Sequence, residues 1–270
     1  MRRVLVNGVT QAITEPAIAV ADRGLNYGDG LFETMLLSGG RVRFLAAHLE
    51  RLALGCRRLQ IAFPGADVLR TDIASVTAAT RAGVVKIVVT RGNAGRGYRP
   101  DPDTPSTRIV SLHDAPERTD TIRARWCETR LSRNPALAGI KHLNRLEQVL
   151  AQQEWHDSSI AEGFMLDHEG ELVCATAANV FLVQAGELRT PDLRYCGIRG
   201  IMRDTVIRKA TQLGMTVHAE PLRADDLEAA DEVFVTNAVR GVRAVVALDR
   251  RTWQHGPVTE TLRGAVTADA

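Results

Sequence analysis

The 270-residue chain is poor in the features that would announce a specialised class. It has four cysteines, Cys56, Cys127, Cys174 and Cys196, and no CxxC pair among them. A disulfide framework is unnecessary at this size, and no zinc-type spacing occurs. The seven histidines are scattered, without HExxH or a His-rich tract, so no metal is expected. No apolar run approaches the length of a membrane-spanning helix, and residues 1–8 turn polar too soon for a signal peptide. The expectation is a soluble, cytoplasmic protein. Charge of one sign is missing too: 34 Lys+Arg against 32 Asp+Glu give a net +2, with no blanket attraction to nucleic acid or anionic membrane. Lysine is rarest of all. Only Lys86, Lys141 and Lys209 stand among the 34 basic residues. A chain that uses arginine by habit must still use lysine wherever it needs an amine that can lose its proton.

What is present is ordinary globular composition, 45% apolar and 24% charged, long enough for one large core or two modest ones. Short apolar runs alternate with helical patterns. Residues 4–6, 42–44, 85–90, 108–112 and 122–126 read as strands, as do 178–184, 233–236 and 244–248. Leu45, Leu49, Leu52, Cys56 and Leu59 recur at helical spacing, and helices are also expected near 143–155 and 201–213. A hairpin is expected around 167–170, and the Pro-containing, charged stretch after His113 is the best linker. Helices and strands mix without a regular β-α-β beat. The pattern predicts an α+β fold of two subdomains: 1–114, a linker at 115–120, and 121–270.

Each lysine carries a bland alternative. Lys86 lies on the strand face opposite Val85, Ile87 and Val89, with its stem packed and its head toward solvent. Lys209 sits on the solvated face of a helix. Lys141 differs, because it follows a turn-rich segment and immediately precedes a helix expected to begin near His142. Desolvation and a positive helix end would favour a neutral, nucleophilic amine there. The glycine-rich loop 91–98 (RGNAGRGY) lacks the Lys-Ser/Thr of a P-loop, so nucleotide binding is a distant option. Gly28-Asp29-Gly30 reads as a tight turn. Gly197 and Gly200 before the helix at 201 would leave free N–H groups at the positive end of its dipole, which suits a phosphate; an ordinary capped helix start is the alternative reading. Arg51, off the apolar stripe of its helix, could reach a cleft or face water.

Together these segments resemble the fold-type IV pyridoxal-phosphate enzymes, the family of branched-chain and D-amino-acid aminotransferases and of 4-amino-4-deoxychorismate lyases. The resemblance runs from residue 6 to about 248. It rests on 22–24 with 27–33 (YGDGLFE), 47–52 (AHLERL), 200–204 (GIMRD) and 230–238 (ADEVFVTNA). Residues 139–150 (GIKHLNRLEQVL) and 95–98 (GRGY) are most similar to the bacterial lyase branch. The resemblance implies a two-subdomain architecture like that of D-amino-acid aminotransferase, with Lys141 and a phosphate cup in the C-terminal subdomain. It also implies a homodimer and pyridoxal 5'-phosphate as cofactor.

By that likeness Lys141 is the Schiff-base lysine. Arg51 binds the phosphate with the backbone N–H groups of Ile201 and Met202 after Gly200. Ala238 stands where relatives have a threonine, so only its backbone could serve. Arg96 and Tyr98 match a loop that grips substrate carboxylates and reaches into the partner's site. Phe32 lines the same pocket, and Arg145 is a further carboxylate candidate. At Cys174 the family has a glutamate facing the pyridine nitrogen. A mostly neutral thiol there would hold that nitrogen's proton less well, favouring elimination over transamination. The expected activity is lyase chemistry yielding 4-aminobenzoate and pyruvate. An aminotransferase of the same fold, or a non-catalytic cofactor-binding relative, is the alternative.

Overall fold

The structure is a computed structural model that describes residues 3–12, 14 and 17–268. Two compact units form: Met1–Pro116 with Ile140–Asn144, and Glu117–Gly139 with Arg145–Ala270. The short segment holding Lys141 therefore clusters with the first unit, whereas the sequence places it in the C-terminal subdomain.

The first unit contains β1 (Arg3–Val6), β2 (Val9–Gln11), α1 (Arg23–Tyr27), β3 (Gly30–Ser38), β4 (Arg41–Val42), α2 (Leu45–Leu59), α3 (Ala66–Thr77), β5 (Gly83–Thr90) and β6 (Thr107–His113). The strands form one sheet in the order β2-β1-β6-β5-β3-β4, with every neighbouring pair antiparallel. Along β5 the period-two pattern is strict: Val85, Ile87 and Val89 are fully buried while Lys86 and Val88 are half-buried. Leu31, Met35 and Leu37 of β3 join the same buried side. Against it pack α2, through Leu49, Leu52 and Cys56, and α3, through Leu69, Ile73 and Val76. Each such side chain contributes about 1.5–3 kcal/mol when withdrawn from water. The opposite face carries Phe32, Thr34, Lys86 and Val88.

Two boundaries differ from the sequence expectation. The strand expected at 42–44 ends at Val42, because Phe44 turns left-handed (φ 53°) to open α2. Residues 28–30, expected as a turn, instead cap α1 at Gly28 and begin the long strand β3 at Gly30. Glu33 on the buried face of β3 breaks its apolar alternation, which is why that strand is hard to see in the sequence.

The second unit contains β7 (Thr121–Trp126), α4 (Leu146–Gln152), β8 (Ile160–Leu166), β9 (Leu172–Ala175), β10 (Asn179–Gln184), β11 (Glu187–Pro191), α5 (Ile201–Gln212), β12 (Val217–Glu220), α6 (Ala224–Glu228), β13 (Glu232–Asn237), β14 (Gly241–Leu248), β15 (Arg251–Thr252) and α7 (Pro257–Ala268). Its sheet runs β12-β11-β10-β13-β14-β7-β8-β9, with β15 added to β14. The β11–β12, β7–β14 and β7–β8 pairs are parallel and the others antiparallel. Phe164, Val180, Leu182, Val233, Val235 and Val245 anchor its core. The hairpin expected around 167–170 forms between β8 and β9. Among the described residues no helix is long and apolar enough to cross a membrane.

Candidate active site

Lys141 does not precede a helix. The helix expected from His142 begins only at Leu146, because the intervening backbone is engaged with a strand. Phe32 N–H donates to the Lys141 carbonyl at 2.9 Å, Leu143 N–H donates to the Gly30 carbonyl at 2.9 Å, and His142 bridges Leu31 antiparallel. The positive helix end expected beside the lysine is thus displaced. What Lys141 has instead is an aromatic platform: its Nζ lies 4.1 Å from the centroid of the Phe32 ring. Gly30 makes this docking possible, since a Cβ there would meet the Val89 carbonyl at 2.5 Å and the Leu143 side chain at 2.7 Å.

The same ring collects a second amine. Lys86 Nζ lies 5.6 Å from the Phe32 centroid, reaching across from β5, where Lys86 is paired with Thr34. The sequence reading, a packed stem with its head toward solvent, did not include this ring. The missed signal was the register of β3 against β5, which sets Phe32, Thr34 and Lys86 on one face.

Arg51, also in the first unit, projects from α2 onto β3. Its Nε and one terminal nitrogen donate to the two oxygens of Glu33 at 2.8 and 2.6 Å, and His48 Nδ1 stands 2.6 Å from Glu33 Oε2. Burial pushes the Glu33 carboxyl up. The Arg51 charge and the contacts from His48 outweigh that and hold it below its ordinary value. Arg51 is therefore fixed in direction by a bidentate pair, with its side chain 11% exposed. Arg96 and Tyr98 lie on the exposed loop between β5 and β6.

In the second unit, Gly200 is the N-cap of α5 in extended conformation and offers no side-chain cap, so the first amides of the helix are left for another acceptor. A Cβ at Gly200 would come within 2.2 Å of Asn179 Oδ1, and Asn179 Nδ2 donates to the Ile198 carbonyl at 2.8 Å. Opposite Asn179 in the β10–β13 register is Thr236, buried, whose hydroxyl makes no hydrogen bond. An orphaned hydroxyl beside the strand that supports an uncapped helix start is the donor set a phosphate monoester uses. Ala238 follows β13 in a turn held by Asn237 Oδ1, which accepts from Val239 N–H and Arg240 N–H. The sequence singled out Ala238 and passed over Thr236 two residues earlier.

Cys174, on β9, is buried, and burial pushes its thiol up to about 12, so it is a neutral group. Arg145, just before α4, interacts electrostatically with that thiol. Its own guanidinium is lowered by burial, with Cys174 and Glu147 opposing. No carboxylate stands at position 174, and Glu171 lies outside β9 in ion pairing with Arg133 at 3.0 Å. The structure thus groups Lys141, Phe32 and Arg51 in the first unit with the loop of Arg96 and Tyr98. Cys174, Arg145, Gly200, Ile201, Met202 and Ala238 belong to the second. The first group offers an amine on an aromatic face and a fixed guanidinium; the second offers an uncapped helix start and a buried hydroxyl, each by itself chemistry that suits part of a pyridoxal phosphate.

Comparison with known proteins agrees with this chemistry. The amino-transferase class IV family matches residues 30–248. The crystal structure of 4-amino-4-deoxychorismate lyase from Pseudomonas aeruginosa superposes with a TM-score of 0.93 at 41% identity, covering 98% of each chain. The aminodeoxychorismate lyase of Vibrio harveyi is 32% identical over 96% of this chain and 97% of its own. A putative branched-chain-amino-acid aminotransferase of Methanocaldococcus jannaschii is also 32% identical, over 97% of this chain and 94% of its own.

Proposed function

The chain belongs to the amino-transferase class IV family, and from that premise we propose that it is a 4-amino-4-deoxychorismate lyase, releasing 4-aminobenzoate and pyruvate for folate synthesis. The observation that carries this is its full-length likeness to a solved lyase of that name. Members of the family use pyridoxal phosphate, and in this chain Lys141 would hold it. Arg51 and the backbone N–H groups of Ile201 and Met202 would take its phosphate, with Gly200 leaving room. Ala238 would contribute backbone only, and the Thr236 hydroxyl would be a further donor. When bound, the cofactor supplies an electron sink for the substrate carbon that carries the amine.

Lys141 Nζ, freed when the substrate amine takes its place, would be the base that removes the proton from that ring carbon. The ring gains aromaticity as its C–O bond to the enolpyruvyl group breaks. The proton taken up by Lys141 Nζ, returned to the methylene carbon of the departing enolpyruvate, would give pyruvate. Arg96 and Tyr98 orient the substrate's carboxylates in a homodimer, with Arg145 as a further cationic partner. Phe32 forms the wall against which the Lys141 amine rests, and the Lys86 head lies over the same ring. Cys174, neutral and buried, would face the pyridine nitrogen and leave it without a carboxylate partner. We expect the protein to work in the cytoplasm.

The test is fluorescence detection of 4-aminobenzoate from enzymatically generated aminodeoxychorismate. Wild type should form product, and Lys141→Ala should lose about a thousandfold or more of that rate. Normal turnover by the variant would sink the assignment. The aminotransferase reading draws on the likeness to the Methanocaldococcus jannaschii protein. It prevails if the purified protein moves amino groups between amino acids and 2-oxo acids faster than it forms 4-aminobenzoate.

A further inference from the structure

The helix α1 has only five residues, too few to be stable alone, so its place is set by what it binds. Asp22 caps it, accepting from Gly24 N–H at 2.8 Å and from the Thr90 hydroxyl at 2.8 Å. The next residue, Arg23, is 4% exposed, and an arginine so buried is tolerable only if its donors are satisfied. They are, and by a revealing set of partners. Nε donates to Asp29 Oδ2 at 2.9 Å, while the two terminal nitrogens donate to the carbonyls of Gly97 and Tyr98 at 2.8 and 3.0 Å. The guanidinium lies 4.7 Å from the centroid of the Tyr27 ring. Tyr27 in turn accepts from Gly97 N–H at 3.3 Å, and its ring is 5.7 Å from that of Tyr98.

Asp29 is itself held from the other side. Arg91 donates to both its oxygens, at 2.7 and 3.1 Å, and to the carbonyls of Leu59 and Gln60 at the end of α2. The buried cation is thus anchored through Asp29 to the rigid part of the unit and spends its remaining donors on the tip of a glycine-rich loop. Gly97 sits at φ +94°, which glycine adopts without strain, and a glycine has little intrinsic preference for one loop shape. The loop side chains of Arg96 and Tyr98 stay exposed while the backbone beside them is tied down.

We propose that Arg23 is a positioning residue that fixes the Gly97–Tyr98 backbone, so that Arg96 and Tyr98 are presented to a carboxylate-bearing substrate in one geometry. This rests on the lyase reading for the substrate and on the structure alone for the latch. Two carbonyls, one carboxylate and an aromatic face are met by one planar guanidinium; an ammonium cannot span them. Loss of the latch should leave the bond-breaking step intact and cost substrate capture.

The experiment compares holoenzyme of wild type, Arg23→Gln, Arg23→Lys and Tyr27→Phe by hydrogen exchange and by steady-state kinetics. In Arg23→Gln, exchange at residues 95–99 should accelerate while β3 and β5 keep their protection. KM for aminodeoxychorismate should rise about tenfold or more, with kcat within about threefold. Arg23→Lys should fail to restore KM, and Tyr27→Phe should show the same pattern more weakly. Unchanged loop exchange, or a fall in kcat at constant KM, overturns the latch. If Arg23→Gln does not fold, Tyr27→Phe decides, and wild-type values for both its loop exchange and its KM overturn the proposal. A wild type with no lyase activity would sink the functional reading alone, because loop exchange reports on the latch without substrate.

Discussion

Glu33 in the first unit and Glu162 in the second are both 1% exposed and both bind an arginine, yet the two pairs are built differently. Arg243 is as buried as Glu162, and the remaining capacity of that carboxylate goes to the Thr176 hydroxyl at 2.8 Å and the Ala177 N–H at 3.0 Å. The carboxylate of that pair is fully engaged, although the buried Arg243 Nε finds no hydrogen-bond partner among the described residues. Arg51 keeps 11% exposure, and the other partner of Glu33 is a buried histidine that helps fix the carboxylate. One pair is scaffold. The other holds its guanidinium in one direction through two hydrogen bonds to the carboxylate while leaving it partly exposed. The same pairing chemistry thus occurs with different burial: one guanidinium is withdrawn from solvent together with its carboxylate, and the other keeps part of its surface exposed.

That contrast can be broken most sharply at Arg243. Arg243→Met leaves Glu162 buried and uncompensated, which should cost about 3–5 kcal/mol in urea unfolding. The fraction that folds should bind pyridoxal phosphate as wild type does. Glu33→Gln should cost less stability, about 1–3 kcal/mol, because a hydrogen-bonding amide remains. It should weaken pyridoxal-phosphate retention about tenfold by dialysis and visible absorbance, since Arg51 loses its mount. If both variants shed the cofactor equally, the distinction between scaffold and site pair is wrong.

Acid provides a gentler probe. Glu33 is held below its ordinary value of 4.5, so its contribution to stability is fully present above that pH and is lost as pH falls through the lower folded value. Thermal melts of Glu33→Gln should therefore lose part of the acid-limb slope below about pH 4.5 seen in wild type. The smallest expected effect is at Cys174. Cys174→Glu would place a carboxylate beside Arg145 and raise the ratio of transamination to elimination by about threefold or more. An unchanged ratio would separate Cys174 from the choice of reaction.

Much of this was legible in the sequence. The period-two strand around Lys86 and the helical spacing of Leu45, Leu49, Leu52 and Cys56 are backbone patterns with a single solution, and both formed. The lysine segment, Arg51 and the glycine before α5 were visible as residue types in order. Less legible was anything that depends on a partner distant in the chain. Glu33 interrupts an otherwise apolar strand, and its reason lies 15 and 18 residues away in His48 and Arg51. Lys86 looked like a surface lysine because the ring it lies against comes from another strand. Thr236 looked like any strand threonine until its hydroxyl was found buried without a partner.

By itself the sequence determined that the chain carries one lysine in a distinctive turn-rich segment, a glycine-rich loop with exposed cations, and a helix opening on glycine. Those are local facts, written in neighbouring residues and in the conformations glycine permits. Tertiary structure alone decided that the lysine would not head a helix. Its backbone is recruited to β3, and strand hydrogen bonds from Phe32 and Gly30 exclude helical ones at 141–143. Tertiary structure alone also decided that Arg51 is aimed and that Arg23 grips a loop some 75 residues away. A buried guanidinium takes its direction from whichever oxygens folding brings within reach, and sequence spacing does not encode them.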